Sequence, residues 1–93
     1  MPLHGRSRSA RLNPDETFAK ALRRARKQGN MSREVLGFES GYHRTYMSVL
    51  ERGKMNPSLR RMLSLAAALN IPAAQLVRNL EQLLGSAWRR VPA

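Results

Sequence analysis

The side chains best suited to chemistry in this chain lie between positions 43 and 52, where polar and apolar residues recur at helical spacing. On a helix that advances about 100° per residue, Met47 and Leu50 share one side. The opposite side carries hydrogen-bonding groups and one small apolar group, at Arg44, Thr45, Ser48, Val49 and Arg52. One side therefore anchors the helix, and the other is free to bind another molecule through hydrogen bonds and methyl contacts.

Catalytic chemistry has no comparable support in the sequence. Paired acids, a nucleophile beside a base, and a glycine-rich phosphate loop are all missing. The chain has no cysteine, which excludes disulfides and thiolate zinc sites, and its two histidines, His4 and His43, are too few for a metal site. We therefore expect a protein that is not an enzyme and that needs no cofactor or metal.

The charge of the chain indicates which kind of partner it binds. Its 93 residues include 17 Lys and Arg against 6 Asp and Glu, a formal net charge of +11. Such an excess favours a polyanion, and nucleic acid is the leading candidate. Anionic lipid is the alternative, but no segment approaches the roughly 20 apolar residues of a membrane span, and the first ten residues lack the apolar core of a signal peptide. We expect a cytoplasmic protein with no membrane partner.

The stretch from Met31 to Gly53 places two short helical patterns around a tight turn at residues 39–42. That layout is typical of a DNA-binding helix-turn-helix, in which the second helix lies in the major groove and the first crosses the phosphate backbone. Double-stranded DNA is therefore the predicted partner. The residues predicted to contact bases are Arg44, Thr45, Ser48 and Val49, and Arg33 is predicted to contact a phosphate.

Capping residues predict the limits of five helices. Asn13 and Pro14 begin a helix that runs to about Gln28, and Ser32 caps the second helix. The third runs from about 43 to 52 and ends at Gly53. Asn56 caps a fourth helix that closes at Asn70, and Pro72 opens a fifth that stops at Gly85. With no alternating strand pattern, the fold class is all-α, a compact five-helix domain.

Two residues of the second helix allow predictions about packing. Val35 and Leu36 are expected to point inward. Gly37 lies in the middle of the helix, where glycine costs about 1 kcal/mol relative to alanine, so its presence suggests a close approach of the following helix. Gly41 is expected to need a positive φ.

The ends of the chain differ in composition from its middle. Residues 1–12 contain Arg6, Arg8 and Arg11 among small residues, which is typical of a flexible basic arm. Such an arm either enters a minor groove or is an uninvolved tail. The predicted organisation is an arm at 1–12, a helix-turn-helix domain at 13–84 and a C-terminal tail at 85–93.

From Phe18 to Leu80 the chain resembles the phage-repressor and Cro superfamily of helix-turn-helix domains, also called the xenobiotic-response-element type. The resemblance implies a lambda-repressor-like fold. Within the superfamily, residues 44–48 and 50–53 are similar to the controller proteins of restriction-modification systems, which repress and activate their own operons. The matching residues are Leu22, Arg26, Ser32, Leu36, Gly37, Gly41, Tyr46, Met47, Ser48, Leu50, Glu51, Arg52, Gly53, Asn56, Pro57, Ser58, Leu65, Ala68, Leu69, Ile71 and Leu76.

The resemblance assigns roles to particular positions. Arg26 and Glu51 match a pair that usually forms a salt bridge between the first and third helices, a structural role. Arg33 stands where the family more often has a glutamine that contacts a phosphate, and arginine keeps the donor. Gly37 replaces the usual alanine. Asn30 replaces the usual glycine before the second helix, and asparagine tolerates the left-handed region better than most residues.

Several further residues are predicted to contact the DNA backbone. His43 either caps the third helix, contacts a phosphate or contacts a base. Tyr46 either donates its hydroxyl to a phosphate or only packs. The whole predicted backbone set is Ser32, Arg33, His43, Tyr46, Arg52 and Lys54.

The fifth helix and the tail carry more apolar residues than one buried face needs. We expect the excess, Val77, Leu80, Leu84 and Trp88, to form a twofold dimer interface. Trp88 alternatively folds back on its own subunit. The leading function is a regulator that binds a pseudo-palindromic operator as a homodimer. The alternative is an antitoxin-like or assembly module that grips a protein partner through this helix and the tail.

Overall fold

Five α-helices follow one another in the computed structural model, which describes residues 13–85. They are α1 (Pro14–Gln28), α2 (Arg33–Ser40), α3 (Arg44–Glu51), α4 (Leu59–Ala68) and α5 (Ala73–Leu84). The predicted all-α, five-helix architecture is therefore confirmed. None of these five helices is long and apolar enough to cross a membrane. The predicted arm and Trp88 lie outside the described residues.

Side-chain caps fix where four of the helices begin, at Asn13, Ser32, His43 and Ser58. Asn13 Oδ1 accepts hydrogen bonds from the Asp15 and Glu16 amides at 2.9 and 3.2 Å, and Ser32 Oγ accepts from the Val35 amide at 3.1 Å. The prediction that Asn56 caps the fourth helix is wrong. Ser58 is the cap, because its hydroxyl accepts from the Arg61 amide at 3.2 Å.

The turns on both sides of α3 depend on left-handed backbone. Gly41 has φ +82° and Gly53 has φ +74°, and Asn30 before α2 has φ +55°. All three agree with the sequence predictions. A Cβ on Gly53 would lie 2.9 Å from the Cα of Glu16, so this turn also packs directly on α1.

The core receives side chains from all five helices. It is built mainly from leucines, with Phe18 and Met47, and its fully buried large side chains are Leu22, Leu36, Met47, Leu50, Leu65 and Leu76. A Cβ on Gly37 would lie 3.0 Å from both Met47 Cγ and the Tyr42 carbonyl oxygen. The predicted close approach of α3 to α2 at this glycine is thus confirmed.

Some apolar side chains lie outside the core. Val35 is 46% exposed, so the prediction that it points inward is wrong. Leu36 takes the buried position, and a neighbour on a helix points about 100° away from it. Phe38 on α2 and Leu59 and Leu63 on α4 are also exposed, at 82%, 72% and 51%.

Candidate nucleic-acid interface

The helix α3 divides its side chains between the core and solvent. Met47, Leu50 and Glu51 are buried. Arg44 and Thr45 are exposed, and Ser48 and Val49, one turn further along, are half-buried. The four residues predicted to contact bases therefore share the side of α3 that faces away from the core.

Glu51 holds the inner side of α3 against α1. Its carboxylate accepts from Arg26 Nε at 2.8 Å and from Arg26 Nη2 at 3.1 Å, and it is only 4% exposed. Arg26 Nη1 also donates to the Met31 carbonyl at 3.0 Å, and Arg23 donates to the Glu51 carbonyl. The structure thus brings Arg26 and Glu51 together as an ion pair between the first and third helices.

His43 forms the N-terminal end of α3. Its Nδ1 accepts a hydrogen bond from the Thr45 amide at 3.0 Å, which makes it the cap of the helix. A neutral imidazole whose Nδ1 accepts carries its proton on Nε2. The residue is exposed, so this second nitrogen is left to donate to another molecule.

A shallow cleft of about 320 Å³ separates the N-terminal turn of α2 from α3. It brings together residues that the sequence assigned to bases and to the backbone, and its lining is Arg33, Glu34, Arg44, Thr45, Ser48 and Arg52. Three guanidinium groups in one cleft create a positive potential that suits a polyanion. Sequence reasoning missed Glu34, whose carboxylate can accept a hydrogen bond from a base amine.

The other predicted backbone residues surround this cleft. Ser32 is exposed at the start of α2, and its hydroxyl keeps a hydrogen to donate while its oxygen caps the helix. Arg52 lies along α3 with Nε donating to the Ser48 carbonyl at 3.3 Å. Lys54 is exposed in the turn after the helix. These groups form a polar rim around the exposed side of α3.

Tyr46 lies differently from the rest of the predicted set. Its hydroxyl oxygen is buried and has no hydrogen-bond partner among residues 13–85. Its ring packs against Tyr42 with centroids 5.2 Å apart, and the Arg61 guanidinium lies 4.6 Å from the Tyr46 centroid and 5.6 Å from that of Tyr42. Sequence reasoning missed this cluster, which joins the turn before α3, α3 itself and α4.

Some of the α5 residues predicted for a dimer interface pack against the core of their own subunit. Leu84 is 8% exposed, and Leu80 packs against the core cluster. Val77 is half-buried. Less apolar surface remains on this helix than the sequence suggested, because α5 packs along α1 through several of its leucines.

No group of three metal-ligating side chains occurs among residues 13–85. The arrangement consists of an anchored helix with free donors, a cationic cleft and a polar rim. It is suited to binding a nucleic-acid surface, in which base edges are contacted from the helix and phosphates from its sides.

Several known proteins have sequences similar to that of this chain. Two curated relatives are control proteins: C.BamHI of Bacillus amyloliquefaciens, 39% identical over 64% of this chain and 75% of the relative, and C.SmaI of Serratia marcescens, 39% identical over 67% and 74%. A third, described as an uncharacterized HTH-type transcriptional regulator of Sinorhizobium fredii, is 35% identical over 63% and 77%.

Solved structures of similar proteins have a similar fold. The restriction-modification controller protein C.AhdI from Aeromonas hydrophila is 41% identical, with a TM-score of 0.63 over 66% of this chain and 92% of that chain. A structure of the clp gene regulator ClgR from Corynebacterium glutamicum is 25% identical, with a TM-score of 0.73 over 78% and 95%. A family model described as helix-turn-helix matches residues 22–76. This chain therefore belongs to the helix-turn-helix family of DNA-binding transcriptional regulators, in its Cro and phage-repressor group.

Proposed function

We propose that this regulator binds a pseudo-palindromic operator as a homodimer, with α3 of each subunit in a major groove. The observation that supports this most directly is the state of the outer side of α3. Arg44 and Thr45 are exposed, and among residues 13–85 their side chains make no hydrogen bond. Side-chain donors that are held on an anchored helix, without a hydrogen-bond partner in the part of the chain that the structure describes, are available to base edges.

Each predicted base-contacting residue has a distinct chemistry. Arg44 can donate two hydrogen bonds to O6 and N7 of a guanine, a contact worth about 1–3 kcal/mol of discrimination. Thr45 and Ser48 can donate to or accept from either kind of base pair, and Val49 can contact a thymine methyl. The operator half-site should therefore contain a guanine opposite the N-terminal end of α3.

The backbone contacts follow from the groups around the cleft. Ser32 and Arg33 stand at the N-terminal end of α2, where free amides also favour an anion. His43 offers Nε2, and Arg52 and Lys54 extend the cationic surface past the end of α3. We assign phosphate contacts to these five residues.

Dimerisation would place two recognition helices about 34–36 Å apart, one turn of DNA. On α5, Val77 and Leu80 are both half-buried and are the residues that we assign to such a contact, with Trp88 following in sequence. Leu84 is 8% exposed and Leu80 is partly buried against the core cluster, so α5 offers only a small apolar surface for either kind of partner. The antitoxin-like module that grips a protein partner stays the alternative to the homodimer. The organisation proposed is an arm at 1–12, a domain at 13–84 and a tail at 85–93.

The similarity to two control proteins and a restriction-modification controller protein supports a role in controlling transcription. We infer that the chain acts in the cytoplasm by occupying promoters, and that it functions without catalysis, metal or cofactor.

Selection of an operator from a random duplex pool would test this function. Anisotropy titrations of the selected and a scrambled duplex across a salt series, with the oligomeric state measured alongside, give the result. We expect a preference of about 10³-fold or more and two inverted half-sites bound by a dimer. Equal, steeply salt-dependent binding to both duplexes would instead indicate a general nucleic-acid surface and contradict the proposal.

A further inference from the structure

Arg61 lies over the rings of Tyr42 and Tyr46 beside α3, and the proposed contacts do not use this group, which we call the stack. Tyr46 projects from α3 about 200° around the axis from Arg44, since the two are separated by two residue steps. Arg33, Arg44 and Ser48 line the cleft on one side of the exposed face. Tyr46 therefore leaves the helix on the other side, where the Arg61 side chain from α4 covers it.

The stack fixes the position of an exposed cation. The Arg61 guanidinium lies within 6 Å of two ring centroids, at 4.6 and 5.6 Å, which is the range of a cation–π contact. A planar guanidinium held over an aromatic ring keeps the N–H groups of its edge available. Arg61 is exposed and meets no carboxylate among residues 13–85, so these donors face solvent.

The tyrosines themselves are not placed to bind an anion. The Tyr46 hydroxyl is buried, so a phosphate contact through it would require the ring to move out of its packing. The ring offers its face instead, and Arg61 occupies that face. The polar contribution on this side of α3 therefore comes from the arginine that the tyrosines hold.

We infer that Arg61, held on Tyr42 and Tyr46, binds a phosphate of the DNA strand on the side of α3 opposite Arg33. A helix in the major groove lies between two sugar–phosphate backbones, because the groove is only about 12 Å wide. Arg33 contacts one sugar–phosphate backbone and Arg61 the other, so α3 is held in the groove by contacts on both of its sides. A guanidinium pairs with phosphate through two parallel hydrogen bonds, which also fixes the register of the helix in the groove.

This inference rests on the proposed binding of duplex DNA, and its test uses the full chain. The main variant is Arg61→Ala, and the matched control is Arg60→Ala, which removes a neighbouring exposed arginine that is not in the stack. Each is titrated on the selected and scrambled duplexes across salt. We expect Arg61→Ala to reduce the salt slope by about one unit on both duplexes and the affinity by roughly tenfold. Arg60→Ala should change both much less, and an equal loss in the two variants would overturn the inference.

Two tyrosine variants test the role of the stack. Tyr46→Phe should bind as the wild type does, because the ring face remains; a loss of one unit of salt slope would assign the phosphate to the hydroxyl and overturn the inference. Tyr42→Leu should weaken binding severalfold in the wild-type background and have no effect in the Arg61→Ala background. Thermal unfolding of each variant checks that it is folded.

The outcomes separate this inference from the proposed function. If the wild type prefers its operator and Arg61→Ala binds unchanged, only the phosphate contact of Arg61 is excluded. If the wild type binds all duplexes equally, the operator proposal fails while the salt slopes still decide the role of Arg61. If the wild type binds no duplex, both proposals fail.

Discussion

Arg26 on α1 and Glu51 on α3 are joined by two parallel hydrogen bonds of 2.8 and 3.1 Å and are largely shielded from solvent. Their side chains are only 13% and 3% exposed. Glu51 is buried on the inner side of α3, whereas Arg44 and Thr45 of the same helix are exposed. The position of α3 against the core therefore depends on a residue of α1 that lies outside the proposed contact surface.

Arg26→Ala should destabilise the protein strongly, because it leaves the Glu51 carboxylate buried without a partner. Breaking a buried pair in this way typically costs about 3–5 kcal/mol. Urea unfolding followed by circular dichroism measures the loss. The control is Arg24→Ala, an exposed residue of the same helix, which should stay within about 0.5 kcal/mol of the wild type. Equal unfolding midpoints for the two variants would contradict this account of Arg26.

Replacing a residue proposed to contact a base and one proposed to contact a phosphate should have different consequences for DNA binding. Arg44→Ala should cost about 1–3 kcal/mol on the operator and little on scrambled DNA, since it removes a contact to one base pair. Lys54→Ala should weaken both duplexes alike and reduce the salt slope by about one unit. Anisotropy titrations measure both. Parallel losses on the two duplexes for both variants would exclude this assignment of roles.

Gly53 should tolerate alanine less well than Gly41 does, although both have a positive φ. At Gly41 a Cβ meets nothing within 4 Å, so the cost of alanine is the left-handed backbone alone, about 1–2 kcal/mol. At Gly53 the Cβ would also lie 2.9 Å from the Cα of Glu16. Chemical denaturation of both variants should show the larger loss for Gly53→Ala; the reverse order would mean that the turn can move away from α1.

In the homodimer proposed above, Val77→Asp should shift the equilibrium toward monomer without unfolding the subunit, because Val77 is half-buried while Leu80, one turn later, packs against the core. A charge in an apolar contact leaves an unpaired, desolvated group. Sedimentation analysis at several concentrations measures the shift. Leu63→Asp, at a 51% exposed leucine of α4, is the comparison. If Leu63→Asp dissociates the dimer and Val77→Asp does not, the contact lies on α4.

The local features of the fold were predictable from the sequence. Asn13 and Ser32 begin helices, and Gly41 and Gly53 adopt positive φ, because capping and left-handed turns depend on residues close together in the chain. Asn56 was mistaken for a cap because Ser58, two residues later, is an equally good one. The residue types alone do not distinguish the two, and the helix begins after Ser58.

Features that join distant parts of the chain were less predictable. The period of α2 does not distinguish Val35 from Leu36 as the inner residue, since both are apolar neighbours. Leu59 and Leu63 are leucines like the buried Leu65, so residue type does not distinguish them, but they lie on the outer side of α4. The contact of Arg61 with Tyr42 and Tyr46 joins separate elements, and no spacing in the sequence indicates it.

Different residues of α3 anchor the helix and face solvent, and this division affects how the DNA sequence preference of the protein can evolve. Met47, Leu50 and Glu51 hold the helix, whereas positions 44, 45, 48 and 49 carry side chains that contribute little to the core. New operator preferences can therefore be reached by randomising those four positions in a selection, while the scaffold keeps its stability. Two copies of such a gene within one genome could diverge to control different promoters without first having to evolve a new fold.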